Sequence, residues 1–394
     1  MHWHDYRRMD RRTLLKLLSA PVVTGLPARA AAAQDRVVIA GAGIMGASIG
    51  YHLAKRGAQV TILEKLRPGT GATEKSFAWI NSTFSKQPRA YYDLNLLGIA
   101  GWRRLTLELA GDLQIQWGGS VQWFEPGSAD AEKLAGKVRA HQRWGYAAHL
   151  VDAVELRRLL PSIAPGPVGA ACHSEIEGTL DPMHALGVLL KHAQQLGAKV
   201  EYPCEVTGIS VAGDRVRGVE TTNGPIAADF LVLASGVDTP RLAKMVGINV
   251  PLKESPGLLA HTTPQPRMLE RIALAPGTNI KQNPDGRIVT GTDFEASATL
   301  DTSPEAGMKL LHNAEKFLDR LKGAKLETVT LGHRVLPQDG HPIAGFVERC
   351  PNLYITAMHS GITLSPLIGQ MAAMEILDGA DVELLKPFRP ARFA

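Results

Sequence analysis

Three short, mainly apolar runs stand far apart in this chain: Arg36-Val37-Val38-Ile39-Ala40, Phe230-Leu231-Val232-Leu233-Ala234 and Leu353-Tyr354-Ile355-Thr356-Ala357. Each is too short for a helix and lacks a polar face, the pattern of a parallel-sheet strand covered on both sides. Between them the period changes. Apolar positions recur with helical spacing from about Tyr91 to Leu109, with Leu94, Leu97, Trp102 and Leu105 on one side. Further helices are predicted over Ala47–Arg56, 130–144, 152–160, Met183–Leu196, Thr239–Val246, 304–322 and Thr363–Leu377. Asp181-Pro182 supplies a cap and a first-turn proline, while Gly57, Gly197 and Gly379 supply stops. Strands are predicted at Gln59–Leu63, Val200–Tyr202, Val206–Val211, Val216–Thr221, Ile226–Ala234 and Arg287–Gly291. Gln114–Phe124 reads as a strand pair turning at Gly118-Gly119, and 251–276 is a proline-interrupted stretch.

The first of these units carries chemistry. Gly41-Ala42-Gly43-Ile44-Met45-Gly46 matches G-x-G-x-x-G between a buried strand and a helix, and the second strand ends on Glu64. Gly41 permits a tight turn, Gly43 lets a pyrophosphate approach the backbone, and Gly46 lets helix and strand pack closely. The helix N-terminus presents N–H groups to phosphate, and Glu64 is placed to accept from a ribose hydroxyl. Strand, glycines, helix, strand and acid in this order point to a dinucleotide. The loop from Arg67 to Asn81 adds hydroxyl and N–H donors, and its Phe77, Trp79 and Ile80 are too apolar for a solvated loop.

Composition narrows the picture. With 45% hydrophobic and 21% charged residues the chain is globular, and 394 residues suffice for two cores. The formal net charge is +5, but residues 1–33 hold six basic residues against two acidic ones, which leaves about +1 for the body. No nucleic-acid partner is predicted from that balance. Cys172, Cys204 and Cys350 have neither disulfide nor metal-ligand spacing, so no metal is predicted. Arg11-Arg12-Thr13-Leu14-Leu15-Lys16, a moderately apolar run and Ala28-Arg29-Ala30-Ala31 resemble a twin-arginine export signal over residues 1–33. An ordinary secretory signal or an uncleaved anchor is the alternative. Twin-arginine export implies contact with the export machinery and a periplasmic or extracytoplasmic location.

Beyond the first unit, the chain resembles the FAD-dependent amine and amino-acid oxidoreductases related to D-amino-acid oxidase, glycine oxidase and sarcosine oxidase. The resemblance rests on the glycine motif with Glu64, on Gly71-Ala72-Thr73-Glu74-Lys75-Ser76, on Thr179-Leu180-Asp181-Pro182, and on Gly218-Val219-Glu220-Thr221 leading to Ala234-Ser235-Gly236. Two C-terminal motifs are the most specific: Gly332-His333-Arg334 through His341-Pro342-Ile343-Ala344-Gly345, and His359-Ser360-Gly361-Ile362-Thr363-Leu364-Ser365-Pro366. It implies an α/β fold. A discontinuous Rossmann-like FAD domain (36–85, 175–247 and 338–385) would carry a β-sheet-based α+β substrate domain (86–174 and 248–337).

It further implies oxidation of a C–N bond in a small amine or amino acid (a D-amino acid, glycine or an N-methyl amino acid) by hydride transfer to flavin. Oxygen or a quinone-linked carrier would take the electrons. A flavin-binding assembly factor without catalysis is the non-enzymatic alternative. The implied FAD contacts are Gly41, Gly43, Ile44, Met45, Gly46, Glu64, Lys65, Thr73, Ser76, Phe77, Val206, Ala234, Gly236, Gly361, Ile362, Thr363 and Leu364. Covalent attachment is not implied, because the loop 69–78 holds no histidine and the arginine motif no cysteine. Arg334 is a planar donor fork suited to a substrate carboxylate, or alternatively a structural ion-pair arginine. His359 is read as functional or as packing, Lys281 as facing the site or as solvated, and Phe77 and Trp79 as bordering the flavin or as core.

Overall fold

Six strands pair in the order Ile343–Val347, Cys350–Ala357, Phe230–Leu233, Arg36–Ala40, Gln59–Leu63 and Lys199–Glu201 in the computed structural model, which describes residues 35–83, 86–292 and 301–393. All neighbours are parallel except the first pair. Ala40 is level with both Leu63 and Leu233, so the chain leaves three adjacent strands at one height, near Gly41, Glu64 and Ala234. Connections diverge to either side there, which opens a crevice at the carboxyl ends of the strands. The proposed leader lies outside the described residues.

Alternation along the first strand feeds two different cores. Val37 and Ile39 pack with the helices Ile44–Lys55, Pro182–Gln195 and Gly361–Asp378. Val38 and Ala40 pack with Leu231, Leu233, Ile355 and with Val216 and Val219 of a three-stranded antiparallel sheet. Glycines let the helix Ile44–Lys55 approach its neighbours closely: a Cβ on Gly369 of the final helix would meet Ser48 Oγ at 2.5 Å, and one on Gly50 would meet Ile62 Cδ1 of the second strand at 2.5 Å. Ser48 Oγ donates across that seam to Ser365 O at 2.7 Å.

The larger sheet has eight strands, in the order Leu326–His333, Pro256–Thr262, Ile288–Gly291, Thr278–Gln282, Ile272–Ala275, Ser120–Phe124, Ala170–Ser174 and Ala148–Val151. Helix Pro304–Glu315 packs Leu310 and Leu311 against its Leu258 and Ala260.

Four predicted elements change. Gln114–Phe124 is not a hairpin: Gln116 pairs with Thr179 instead, and Ser120–Phe124 pairs with Ala170–Ser174 and Ile272–Ala275. Ile226–Ala234 is two strands in two sheets, bent where the Asp229 N–H turns to Arg36 O while its carboxylate grips the Arg36 guanidinium. The helix predicted over 304–322 stops at Glu315, and Asp319–Leu321 follows as a separate 3-10 turn. The proline-interrupted stretch contains the strands Pro256–Thr262 and Ile272–Ala275.

Candidate active site

The crevice is built by glycines that nothing larger can replace. Gly41 sits at φ +111°, and a Cβ there would lie 2.5 Å from Ala234 O. A Cβ on Gly46 would lie 2.0 Å from Gly41 O, so that glycine serves the helix-to-strand contact. Thr73 Oγ1 accepts the Ile44 N–H at 3.0 Å, and the Gly69 N–H donates to Ala42 O at 3.1 Å, which ties the small-residue loop to the helix N-terminus. Glu64 is aimed by two backbone donors, the N–H groups of Ala42 and Leu66, each at 3.1 Å. At the rim Lys65 faces Asp238 at 3.5 Å, and Arg241 bridges Asp238 and Glu205 at 2.7 and 3.0 Å.

From this end one cavity of about 360 Å³ runs to the large sheet. Gly41, Gly43, Ile44, Met45, Glu64, Lys65, Thr73, Ser76, Phe77, Val206, Ala234, Gly236, Gly361, Ile362 and Thr363 all line it. Trp79 joins them, as do Gln122, Gly257, Leu259, Asn279 and Gly291 of the large sheet. Gly46 and Leu364 do not line it. Gly46 faces Gly41 O, and Leu364 is carried into the core by the first helical turn, where its N–H donates to Ser360 O at 2.9 Å. The final helix begins at Gly361, so the N–H groups of its first turn are directed out of the helix end that forms the wall. Asn81 N–H donates to Thr363 Oγ1 at 3.2 Å and joins this wall to the segment after the loop.

At the far end Arg334 and His359 share the cavity. The Arg334 N–H donates to Ser255 O at 2.9 Å, and its guanidinium donates to Ser255 Oγ and Pro256 O. Gly257 makes room for it, since a Cβ there would lie 2.6 Å from Nη2. Burial lowers the Arg334 pKa. Burial and the charges of Lys86 and Arg334 push the His359 pKa down to about 3, which favours its neutral imidazole.

Two residues that no motif marked stand out here. Lys86 is buried in the cavity wall, donates to Ser360 Oγ at 2.5 Å and lies 5.0 Å from the Tyr91 ring centroid. Burial lowers its pKa to about 8, with Glu177 acting in the opposite sense. Glu177 is fully buried and accepts from Trp79 Nε1, Thr83 Oγ1, Ser120 Oγ and Tyr146 OH at 2.7, 2.7, 2.6 and 2.7 Å. Through Trp79 and Ser120 it fixes two stretches of cavity wall. The only cue in the sequence is the apolar weight of 77–80, which demands a packed neighbourhood. Nothing local singles out a lysine or a glutamate inside it.

Lys281 fits neither of its two expected readings. It is fully buried, not solvated, and lines a second cavity with Ser76, Asp181 and His261 rather than the main one. Its Nζ donates to Leu180 O at 2.7 Å and lies 5.7 Å from the centroid of Phe77, whose ring borders the main cavity. Among the described residues no cluster of three metal-ligating side chains occurs, and no helix is long and apolar enough to cross a membrane.

A glycine-walled crevice on a mostly parallel sheet, continuous with a cavity that reaches a mixed eight-stranded sheet, is the geometry of a dinucleotide-dependent enzyme. The chain belongs to the FAD dependent oxidoreductase family, whose model matches residues 36–374. It is 26% identical to an opine oxidase component of Agrobacterium tumefaciens, over 91% of this chain and 97% of the relative. It is 28% identical to glycine oxidase of Geobacillus kaustophilus, over 86% and 91%. The crystal structure of glycine oxidase from that organism superposes with a TM-score of 0.81 at 26% identity, covering 91% of this chain and 99% of the other. The protein is therefore an FAD-dependent enzyme, and the cradle of Gly41, Gly43, Thr73 and Glu64 suits the nucleotide.

Proposed function

We propose that the protein oxidises a small amine or amino acid at its C–N bond and releases an imine that hydrolyses in water. The observation that carries this reading is Arg334, held by Ser255 and Pro256 over Gly257 in the same cavity that reaches Gly361 and the glycine crevice. The resemblance to an opine oxidase component and a glycine oxidase supports an amine substrate. When bound, FAD supplies the two-electron acceptor for hydride. The residues of the chain orient and stabilise. Arg334 grips a substrate carboxylate through its planar fork. His359, neutral, offers a hydrogen bond and no proton reservoir. The N–H groups of the final helix's first turn, with the helix dipole behind them, favour negative charge at the cavity wall.

The test is anaerobic mixing of the yellow protein with D-amino acids, glycine and N-methyl amino acids. Bleaching is the expected result, and no bleaching by any of them would sink the assignment. Arg334→Met is expected to raise KM roughly ten- to a hundredfold, the loss of a charge-assisted contact. An unchanged KM would remove Arg334 from the site. Peroxide formed in air assigns oxygen as acceptor, whereas turnover only with a quinone assigns a dehydrogenase. FAD held without covalent attachment should be released by acid precipitation. We also read residues 1–33 as a twin-arginine leader and the mature protein as extracytoplasmic. Arg11→Lys with Arg12→Lys should then trap the protein in the cytoplasm, as fractionation would show.

A further inference from the structure

We propose that the substrate is an amino acid whose side chain ends in a carboxamide, and that Asn279 is the residue that reads this end. This rests on the amine-oxidation reading above and names the side chain.

The large sheet gives the cavity a floor, and one row of residues runs straight across it. Strand registers place Gln122, Leu274, Asn279, Gly291 and Leu259 side by side on five adjacent strands. All five line the cavity. Their backbone groups belong to paired strands, so what Gln122, Leu274, Asn279 and Leu259 offer the cavity is a side chain. The row is neutral along its whole length. Leu259 leans over Gly291, where a Cβ would lie 2.6 Å from Leu259 Cδ2. Leu274 is buried, whereas Asn279 and Gln122 on either side of it are half-buried between buried neighbours in their own strands. The row therefore passes from an apolar stretch at Leu259 and Gly291 to a carboxamide at Asn279, then to Leu274 and a second carboxamide at Gln122.

Spacing decides which part of a ligand meets which part of the row. Gly257, against the Arg334 guanidinium, lies two residues along the strand from Leu259, and Asn279 lies two strands across from it. Steps of about 3.4 Å along a strand and about 4.8 Å between strands put Gly257 and Asn279 about 12 Å apart. A hydrogen bond of about 2.9 Å at each end leaves roughly 6 Å for the ligand, the span of a carboxylate and a carboxamide joined by three carbons. Leu259 and Gly291 give those carbons an apolar path. A carboxamide facing Asn279 exchanges two hydrogen bonds with it, one in each direction. A branched apolar end of the same shape leaves the Asn279 amide unpaired, and an ionised end is stripped of water against a neutral row. A site built around such a polar group discriminates strongly against the analogue that lacks it.

The test is titration calorimetry of the flavin-loaded enzyme with three ligands that share one carboxylate and differ at the other end. They are glutaramate, 5-methylhexanoate, in which an isopropyl group replaces the carboxamide, and glutarate. Glutaramate is expected to bind roughly ten- to a hundredfold more tightly than 5-methylhexanoate, the worth of one to two hydrogen bonds in a closed cavity, and more tightly than glutarate. Asn279→Leu should abolish the preference for glutaramate over 5-methylhexanoate. If that variant does not fold, the wild-type ratios decide. Equal binding of glutaramate and 5-methylhexanoate, tighter binding of glutarate, a preference that survives Asn279→Leu, or binding of none of the three overturns the proposal. Any of these results together with bleaching by another amine, such as glycine, leaves amine oxidation standing. If no amine bleaches the flavin, D-glutamine and N-methyl-glutamine included, the functional reading and this proposal fall together.

Discussion

Lys86, Lys281 and Glu177 are indistinguishable in sequence from surface residues, yet all three are buried. Burial of an ionisable side chain is a property of its neighbours, and those neighbours come from remote segments: Ser360 for Lys86, Leu180 for Lys281, and Trp79, Ser120 and Tyr146 for Glu177. Lys281 permits a direct check. Burial brings its pKa down to about 7, far below that of a lysine in the unfolded chain. Above pH 7 the folded state releases a proton that the unfolded state keeps, so stability rises with pH until the unfolded lysine also deprotonates. Urea unfolding of wild type and Lys281→Met at pH 7 and 9 should show wild type gaining on the variant by up to about 1.4 kcal/mol per pH unit. A flat difference would mean that the lysine is solvated. Glu177→Gln removes acceptor capacity from a site where four donors converge, and should cost about 1–3 kcal/mol with a change in tryptophan fluorescence.

At the scale of elements, much was legible. The strands of the first unit form where the pattern placed them and the helix starts three residues earlier, at Ile44 inside the glycine motif, because buried β-branched runs and G-x-G-x-x-G act locally. The Asp181 cap is present, accepting from the Met183 and His184 N–H groups. Local pattern failed where a strand's partner is remote. The alternation at Gln114–Phe124 is real, but its mate is not the adjacent run, and nothing near Pro256 or Ile272 announces pairing with Leu326–His333 or Ser120–Phe124. Gly41 tests the element-level account. Gly41→Ala combines a left-handed φ with a clash against Ala234 O, whereas Gly111, at φ +85°, has nothing within 4 Å of its Cβ position. Gly41→Ala should therefore weaken FAD retention at least tenfold, while Gly111→Ala costs only about 1 kcal/mol of stability and keeps its flavin. Flavin content per protein after gel filtration measures the difference.

For the whole molecule, the ends of the described chain matter as much as its centre. Arg389, near the C-terminus, donates to the buried carboxylate of Glu375 on the final helix and to Asp381, while Glu375 also accepts from Tyr354 OH at 2.9 Å. Arg389→Met would leave that carboxylate buried without its cation, at a cost of about 3–5 kcal/mol in denaturant unfolding. Adding Glu375→Gln should recover part of the loss, the sign of direct coupling. The sequence by itself determined the nucleotide unit, the cap chemistry, the family motifs and Arg334 as the candidate anchor, because each is encoded by residues adjacent in the chain. Only the tertiary structure decided that Lys86 shares a cavity with Arg334, that Lys281 lies behind Phe77, and that Leu364 turns inward. Those facts depend on which distant segments exclude water from a charge or a methyl group, and no window of sequence contains them.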